Sequence, residues 1–293
     1  MNFNLGLFIA VVCSLVLFSC NDDDDTVSTT DTIQLNINGL EDLGSDYVYE
    51  GWLIVDGAPV TAGIFSVDSE GNLSDTLFEL DRADIEAATT YVLTIEPSSD
   101  SDPAPSSTHV LAGDFSSSSA AITVDHPAAL GESFSAASGD YILATPTDDD
   151  ADNEDSGIWF LNNSSGSPVA GLSLPVLPEG WAYEGWVVID GTPVTTGTFT
   201  SVDGVDNAAH YSGANAGPAY PGEDFLINAP SGLTFPTSIA GGTAVISIEP
   251  IPDNSTAPFT FKPLVGAIPA GAETHSVLSM DQNLNFPSGT INR

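Results

Sequence analysis

The stretch YEGWLIVDGAPVTAG, Tyr49 to Gly63, recurs as YEGWVVIDGTPVTTG, Tyr183 to Gly197, with ten of the fifteen positions identical. A repeat this long means that one local structure is built twice. With the two-residue period of a strand, Tyr49, Gly51, Leu53 and Val55 share one face, and Glu50, Trp52 and Ile54 share the other. Both faces become apolar toward the strand's end, as expected of a central strand. Asp56-Gly57 tolerates the positive φ of a primed hairpin turn, and Pro59 restarts the chain at its exit. Gly63 and Gly197 interrupt the returning strand as a bulge would. The repeated unit therefore reads as a hairpin, with Trp52 and Trp186 in the core.

The rest of the chain has the same texture. Short apolar runs such as TIQLNING (Thr32 to Gly39), TYVLTIEP and AAITVD alternate with Gly, Pro, Asp and Ser clusters. Helical periodicity is confined to Leu77 to Ala88, a short helix or loop. A second marker, TIEP at Thr94 to Pro97, returns as SIEP at Ser247 to Pro250. Its offset is 153 residues against 134 for the hairpin, so nineteen extra residues lie between, around 208–236. A 42% hydrophobic content supports a packed core. The expected fold is all-β: two tandem immunoglobulin-like β-sandwich domains, the second with a long loop insertion. The corresponding ranges are 32–133 and 134–293, preceded by an acidic, Thr-rich tether over 21–31 and a signal segment over 1–20.

Charge narrows the partners. The net charge is -38, with three cations, Arg82, Lys262 and Arg293. Binding a nucleic-acid backbone needs clustered Lys and Arg, so nucleic acid is excluded as a partner. The same balance argues against docking on an anionic membrane through a basic face. The two cysteines, Cys13 and Cys20, leave the rest of the chain without a disulfide framework or a thiolate zinc site.

The N-terminus reads as an address. Leu5 to Phe18 is an apolar run of fourteen residues, short for a membrane span and placed like the apolar region of a signal peptide. It ends in LFSC, Leu17 to Cys20, which resembles the bacterial lipobox and implies lipidation at Cys20. The n-region MNFN departs from that pattern in having no Lys or Arg. The following NDDDD, Asn21 to Asp25, is a self-repelling tether that also resembles the acidic export signal of Bacteroidota surface lipoproteins. The resemblance implies a membrane partner through the lipid anchor and an outer-membrane or cell-surface location, or else a periplasmic face.

The order YEGWLI, then DG-PV-AG-F, then IEP resembles the extracytoplasmic domain of anti-sigma-K factors, and it appears twice. That resemblance implies the fold and an envelope location. The helical sigma-binding domain and membrane span of those factors have no counterpart in this sequence.

Two segments stand out as candidate sites. TPTDDDADNEDSG, Thr145 to Gly157, lies between strand-like runs and carries an acidic tip at 148–155. Asp148, Asp150 and Asp152 have the D-x-D-x-D spacing of calcium loops, with Glu154 and Asp155 beside them. Asn153 and Trp159 stand where such loops need Gly and a bidentate Glu, so a solvated acidic loop is the competing reading. The insertion at 208–236 carries Tyr211, Tyr220, Glu223 and Asp224, aromatics beside carboxylates that suit a glycan or a peptide. The competing reading there is a packed Ω-loop. The duplicated glutamates, Glu50 with Glu184 and Glu96 with Glu249, suggest a structural role, and Arg82 and Lys262 are each expected to partner a local carboxylate.

G-x-S-x-G, H-E-x-x-H and a P-loop are all missing, and His109, His126, His210 and His275 stand alone. The expectation is a non-catalytic, lipid-anchored envelope protein, a binding or structural module with no cofactor unless calcium. Its partner would be an envelope protein or a glycan. The alternatives are a calcium-dependent adhesion or glycan-binding lipoprotein, an accessory sensor of an envelope signalling system, and an unrecognised hydrolase.

Overall fold

The computed structural model describes residues 28–253 and 255–293. The signal segment, Cys20 and most of the tether lie outside the described residues. The first repeat supplies β1 (Thr30–Asn38), β2 (Tyr47–Val55), β3 (Ala58–Phe65), β4 (Leu77–Asp81), the short helix α1 (Arg82–Ala87), β5 (Thr90–Pro97), β6 (His109–Ser116) and β7 (Ser119–Ile122). Then follow β8 (Ser138–Leu143), β9 (Gly157–Trp159), β10 (Leu161–Asn162), β11 (Val169–Ala170) and β12 (Leu172–Ser173). The second copy of the motif opens β13 (Trp181–Ile189), β14 (Thr192–Phe199), β15 (Gly222–Asp224), β16 (Thr243–Pro250), β17 (Leu264–Ala267), β18 (Leu278–Gln282) and β19 (Ser288–Asn292).

Two large sheets result, as expected of an all-β chain of two related units. The first runs β3-β2-β5-β6-β7-β19-β1-β4, the second β14-β13-β16-β17-β18-β8-β9-β15, with β12 beside β8. In the first sheet the two ends of the path meet. Phe78 of β4 packs on Phe65 of β3 with centroids 6.4 Å apart, so the sheet rolls around its own core. Ile33, Leu35 and Ile37 of β1 alternate inward with Tyr49 and Leu53 of β2, the period-2 pattern visible in the sequence.

The repeated hairpin is built the same way twice. Tyr49 pairs with Phe65 and Tyr183 with Phe199, and a bulge follows Gly51 in one and Gly185 in the other. Asp56-Gly57 and Asp190-Gly191 all have positive φ, the primed turn. Gly63 and Gly197 sit at φ +115° and +110° inside the bulge. A Cβ on Gly63 would lie 2.1 Å from the Phe78 ring, whereas one on Gly197 would meet the Asp206 carboxylate at 2.8 Å. Each motif tyrosine stacks on its partner Phe, at 5.6 and 5.7 Å. Each also donates its hydroxyl to a carbonyl eight residues upstream, Glu41 and Pro175.

The last strand breaks the tandem order. β19, placed by the repeat boundaries with the second unit, is hydrogen-bonded between β7 and β1 of the first sheet. Ile291 is fully buried there. Arg293 follows with its guanidinium donating to the Ile85, Ala88 and Ser117 carbonyls and lying 4.2 Å over the Phe115 ring. The segment leading into β19 carries Phe286, which packs on Phe261 and Phe134 at 5.9 and 5.4 Å, and Phe261 stacks on Trp181 at 5.4 Å. One hydrophobic core therefore runs through both repeats. Among the described residues no helix is long and apolar enough to cross a membrane.

Because β19 completes the first sheet, Ile291→Ala is expected to cost about 2–5 kcal/mol, as much as Leu53→Ala in the hairpin of the same sheet. Urea denaturation followed by far-UV circular dichroism checks this. An unchanged midpoint would mean that the strand is not integrated.

Candidate functional site

The duplicated motif builds a polar relay behind each sheet. The Trp52 indole N–H donates to the Thr94 hydroxyl at 2.9 Å, and that hydroxyl donates to the Glu96 carboxylate, which also accepts the Ser106 amide at 2.8 Å. In the second repeat the Trp186 indole donates to Ser247 at 2.8 Å, Ser247 donates to Glu249, and the Phe259 amide follows at 2.9 Å. Across the hairpin, Thr61 donates to Glu50 and Thr195 to Glu184. The Tyr-Glu-Gly-Trp and Ile-Glu-Pro motifs thus orient two carboxylates per repeat.

In the second repeat a third carboxylate joins them. Oxygens of Glu184, Glu249 and Asp253 lie within 4.8 Å of one another, the one such metal-sized group among the described residues. Glu184 is 5% exposed and Glu249 1%. Oε2 of Glu249 is buried and accepts no hydrogen bond, while the Glu184 carboxyl is hydrogen-bonded with that of Asp253. Burial pushes Glu184 up to about 8, with the neighbouring Glu249 and Asp253 adding to it and Thr195 opposing. Burial likewise raises Glu249 to about 7, against the donors Ser247 and Phe259. Arg82 pairs with Asp31 at 3.6 Å, as expected of a local partner, and two further ion pairs involve histidine. Lys262 forms no pair within 4 Å among the described residues; burial lowers its pKa, and Glu41 and Glu249 partly restore it. Glu41 itself is raised to about 7 by burial.

Asp253 stands between two depressions. One, of about 370 Å³, lies where the repeats meet and is lined by Leu43, Tyr47, Ile95, Pro97, Ile251 and Phe259 with Asp253 at its edge. The other, of about 670 Å³, is lined by Ala182, Phe199, Asp206, Asn207, Glu249 and Asp253. The cluster therefore opens to solvent on one side and is walled by sheet on the other. Three such carboxylates can hold protons among themselves or surround a hard cation.

The acidic loop is placed differently from a convergent site. Asp148 accepts the Asp150 amide at 3.1 Å and the Asn153 side chain at 2.8 Å, and Asp150 accepts the Asp152 amide at 3.0 Å. Glu154 accepts the Thr145 amide at 3.1 Å and pairs with His275 at 3.2 Å, while the Asp155 carbonyl accepts from Ile239. The D-x-D-x-D spacing makes consecutive Asx turns, and no three of these carboxylates converge within 4.8 Å.

In the insertion, Tyr211 packs among Phe225, Phe235 and His210. Glu223 accepts the His210 amide at 2.8 Å and the Ser212 hydroxyl, and Asp224 accepts the Trp159 indole and the Thr147 amide, both at 2.8 Å. The structure spends these three residues on packing the insertion against the sheet. Tyr220 alone of the four lines a shallow depression of about 420 Å³, beside Trp159, and its hydroxyl donates to the Pro168 carbonyl. All four tryptophans are buried. Asp253 was not apparent as a site residue, yet a signal existed: the 153-residue offset of the Ile-Glu-Pro marker also maps Asp100 onto Asp253.

The fold and the carboxylate cluster describe an all-β protein of two related units. Residues 26–110, essentially the first repeat up to the start of β6, match the family model for the anti-sigma-K factor rskA, C-terminal. Searches of curated proteins and of solved structures return no match.

Burial raises Glu223 to about 7, opposed by Ser212, Tyr211 and His210 and reinforced by Asp206. Its folded pKa lies above its unfolded one, so its contribution to stability is complete below pH about 4.5 and is lost as pH rises through 7. Relative to Glu223→Gln, the wild type should lose several degrees of melting temperature between pH 4.5 and 8, measured by scanning calorimetry. Parallel curves would contradict this.

Proposed function

We propose that this chain is a lipid-anchored, non-catalytic envelope module that binds a ligand in the cleft between its repeats, in an accessory role to envelope signalling. The observation that carries this reading is the match of residues 26–110 to the anti-sigma-K factor C-terminal family. The sequence LFSC with Cys20 supports the anchor. The cleft supports binding: its walls pair apolar Leu43, Tyr47 and Phe259 with the carboxyl edge of Glu41 and Asp253, a lining suited to a small ligand or peptide with both characters. The packing of Tyr211, Glu223 and Asp224 favours the cleft over the insertion as the recognition surface.

Cys20→Ala is expected to move the protein from the membrane fraction to the soluble fraction and to abolish labelling by palmitate. Membrane retention of the unlabelled variant would overturn the anchor. For the role, Ile251→Asp at the half-exposed mouth of the cleft should reproduce the transcriptional change caused by deleting the gene. A deletion without any transcriptional change would remove the signalling role.

A further inference from the structure

We propose that Glu184, Glu249 and Asp253 form a calcium site, one per chain, unique to the second repeat. The site shares Asp253 with the inter-repeat cleft, and its test uses the ion alone, without any cleft ligand. Its first support is convergence: three carboxylates from β13, β16 and the turn after β16 bring oxygens within 4.8 Å. Oxygens this close can share one cation, and calcium accepts the irregular geometry of three carboxylates completed by waters, whereas magnesium demands near-ideal octahedral geometry.

The second support is independent of the clustering. Glu184 and Glu249 are almost wholly buried; Glu249 leaves one oxygen, Oε2, without a donor, and the Glu184 carboxyl meets that of Asp253. Buried acceptors are ordinarily paired, and a buried charge needs a partner charge or a metal. No lysine or arginine lies within 4 Å of Glu184 or Glu249 among the described residues. The oxygens that do have donors are held by Thr195, and by Ser247 with the Phe259 amide. The two glutamates are thus positioned before any ion arrives, with the Trp186 indole fixing Ser247 behind them. Oxygen-only donors select a hard cation over zinc or copper. The 670 Å³ depression bordered by Glu249 and Asp253 supplies an entry path and room for coordinating waters.

The first repeat is an internal control. Glu50, Glu96 and Asp100 occupy the same offsets, yet they do not converge within 4.8 Å. Glu50 is only half-buried, and Asp100 is exposed. Neither Glu50 nor Glu96 leaves a buried oxygen without a donor. Above Gly63 sits the Phe78 ring, while above Gly197 sits Asp206. The second hairpin therefore faces a polar depression where the first faces an aromatic lid.

The test is displacement of terbium luminescence by calcium on the purified, EGTA-treated chain, with thermal unfolding alongside. The expected result is one site of Kd about 10⁻⁴–10⁻³ M, the range of extracellular modules, and a rise in melting temperature with calcium that magnesium does not match. Glu184→Gln/Glu249→Gln should weaken calcium more than ~10-fold. It should melt no lower than wild type in chelator, because Gln keeps the side-chain oxygen that Thr195 and Ser247 donate to and carries no charge to desolvate. Should that pair misfold, Asp253→Asn, at an exposed position, should give the same loss of affinity. Glu50→Gln/Glu96→Gln and Asp148→Asn/Asp150→Asn/Asp152→Asn should both bind as wild type. The proposal is overturned by no displacement at millimolar calcium, by an equal shift with magnesium, or by loss of binding in the acidic-loop variant instead.

Discussion

The hydrogen bond from a tryptophan indole through a hydroxyl to a buried glutamate is the contact on which each repeat is organised. It joins the outer face of β2 or β13 to β5 or β16, so it can form only when the two strands pair in the observed register. A one-residue slip would move every side chain to the opposite face and strand the glutamate without its donor. A buried carboxylate without a donor is costly, and the relay therefore enforces register as well as supporting the carboxylate. Conservation of the relay through substitution of Thr94 by Ser247 shows that the hydroxyl, and not the methyl, is the working part.

The two repeats put this shared device in different surroundings. In the first, the relay ends on Glu96, whose accepting oxygen is shared by Thr94 and the Ser106 amide. In the second, Asp253 approaches from the turn after β16, and the nineteen-residue difference in spacing brings Asp206 over the bulge glycine. Three carboxylates then gather in a chain with three cations in all, and among the described residues neither Glu184 nor Glu249 has a lysine or arginine within 4 Å. Duplication followed by local divergence is enough to turn a structural carboxylate pair into a cluster of three.

The placement of β19 ties the units together. Its insertion between β7 and β1 makes the first sheet depend on residues from the far end of the described chain, and Phe286 carries the aromatic packing from one unit into the other. The 370 Å³ cleft lies at this junction, so its walls are fixed relative to one another by a common core and not by a flexible linker alone.

The hairpins were legible in the sequence because their determinants are near neighbours: Asp-Gly turns, a bulge glycine, and alternation of Tyr49, Gly51 and Leu53 against Glu50 and Trp52. The all-β class and the duplication followed from the same local signals. The D-x-D-x-D spacing misled about convergence, because adjacent carboxylates can satisfy neighbouring amides in Asx turns as readily as they can face an ion. The insertion's Tyr211, Glu223 and Asp224 looked like recognition residues, since composition does not say which face of a loop packs inward. The sequence by itself determined the repeated strands, their turns and the strongly acidic surface. Only the tertiary structure decided that β19 belongs to the first sheet and that Glu184, Glu249 and Asp253 meet, because both depend on pairing between strands far apart in the chain, which no local pattern encodes.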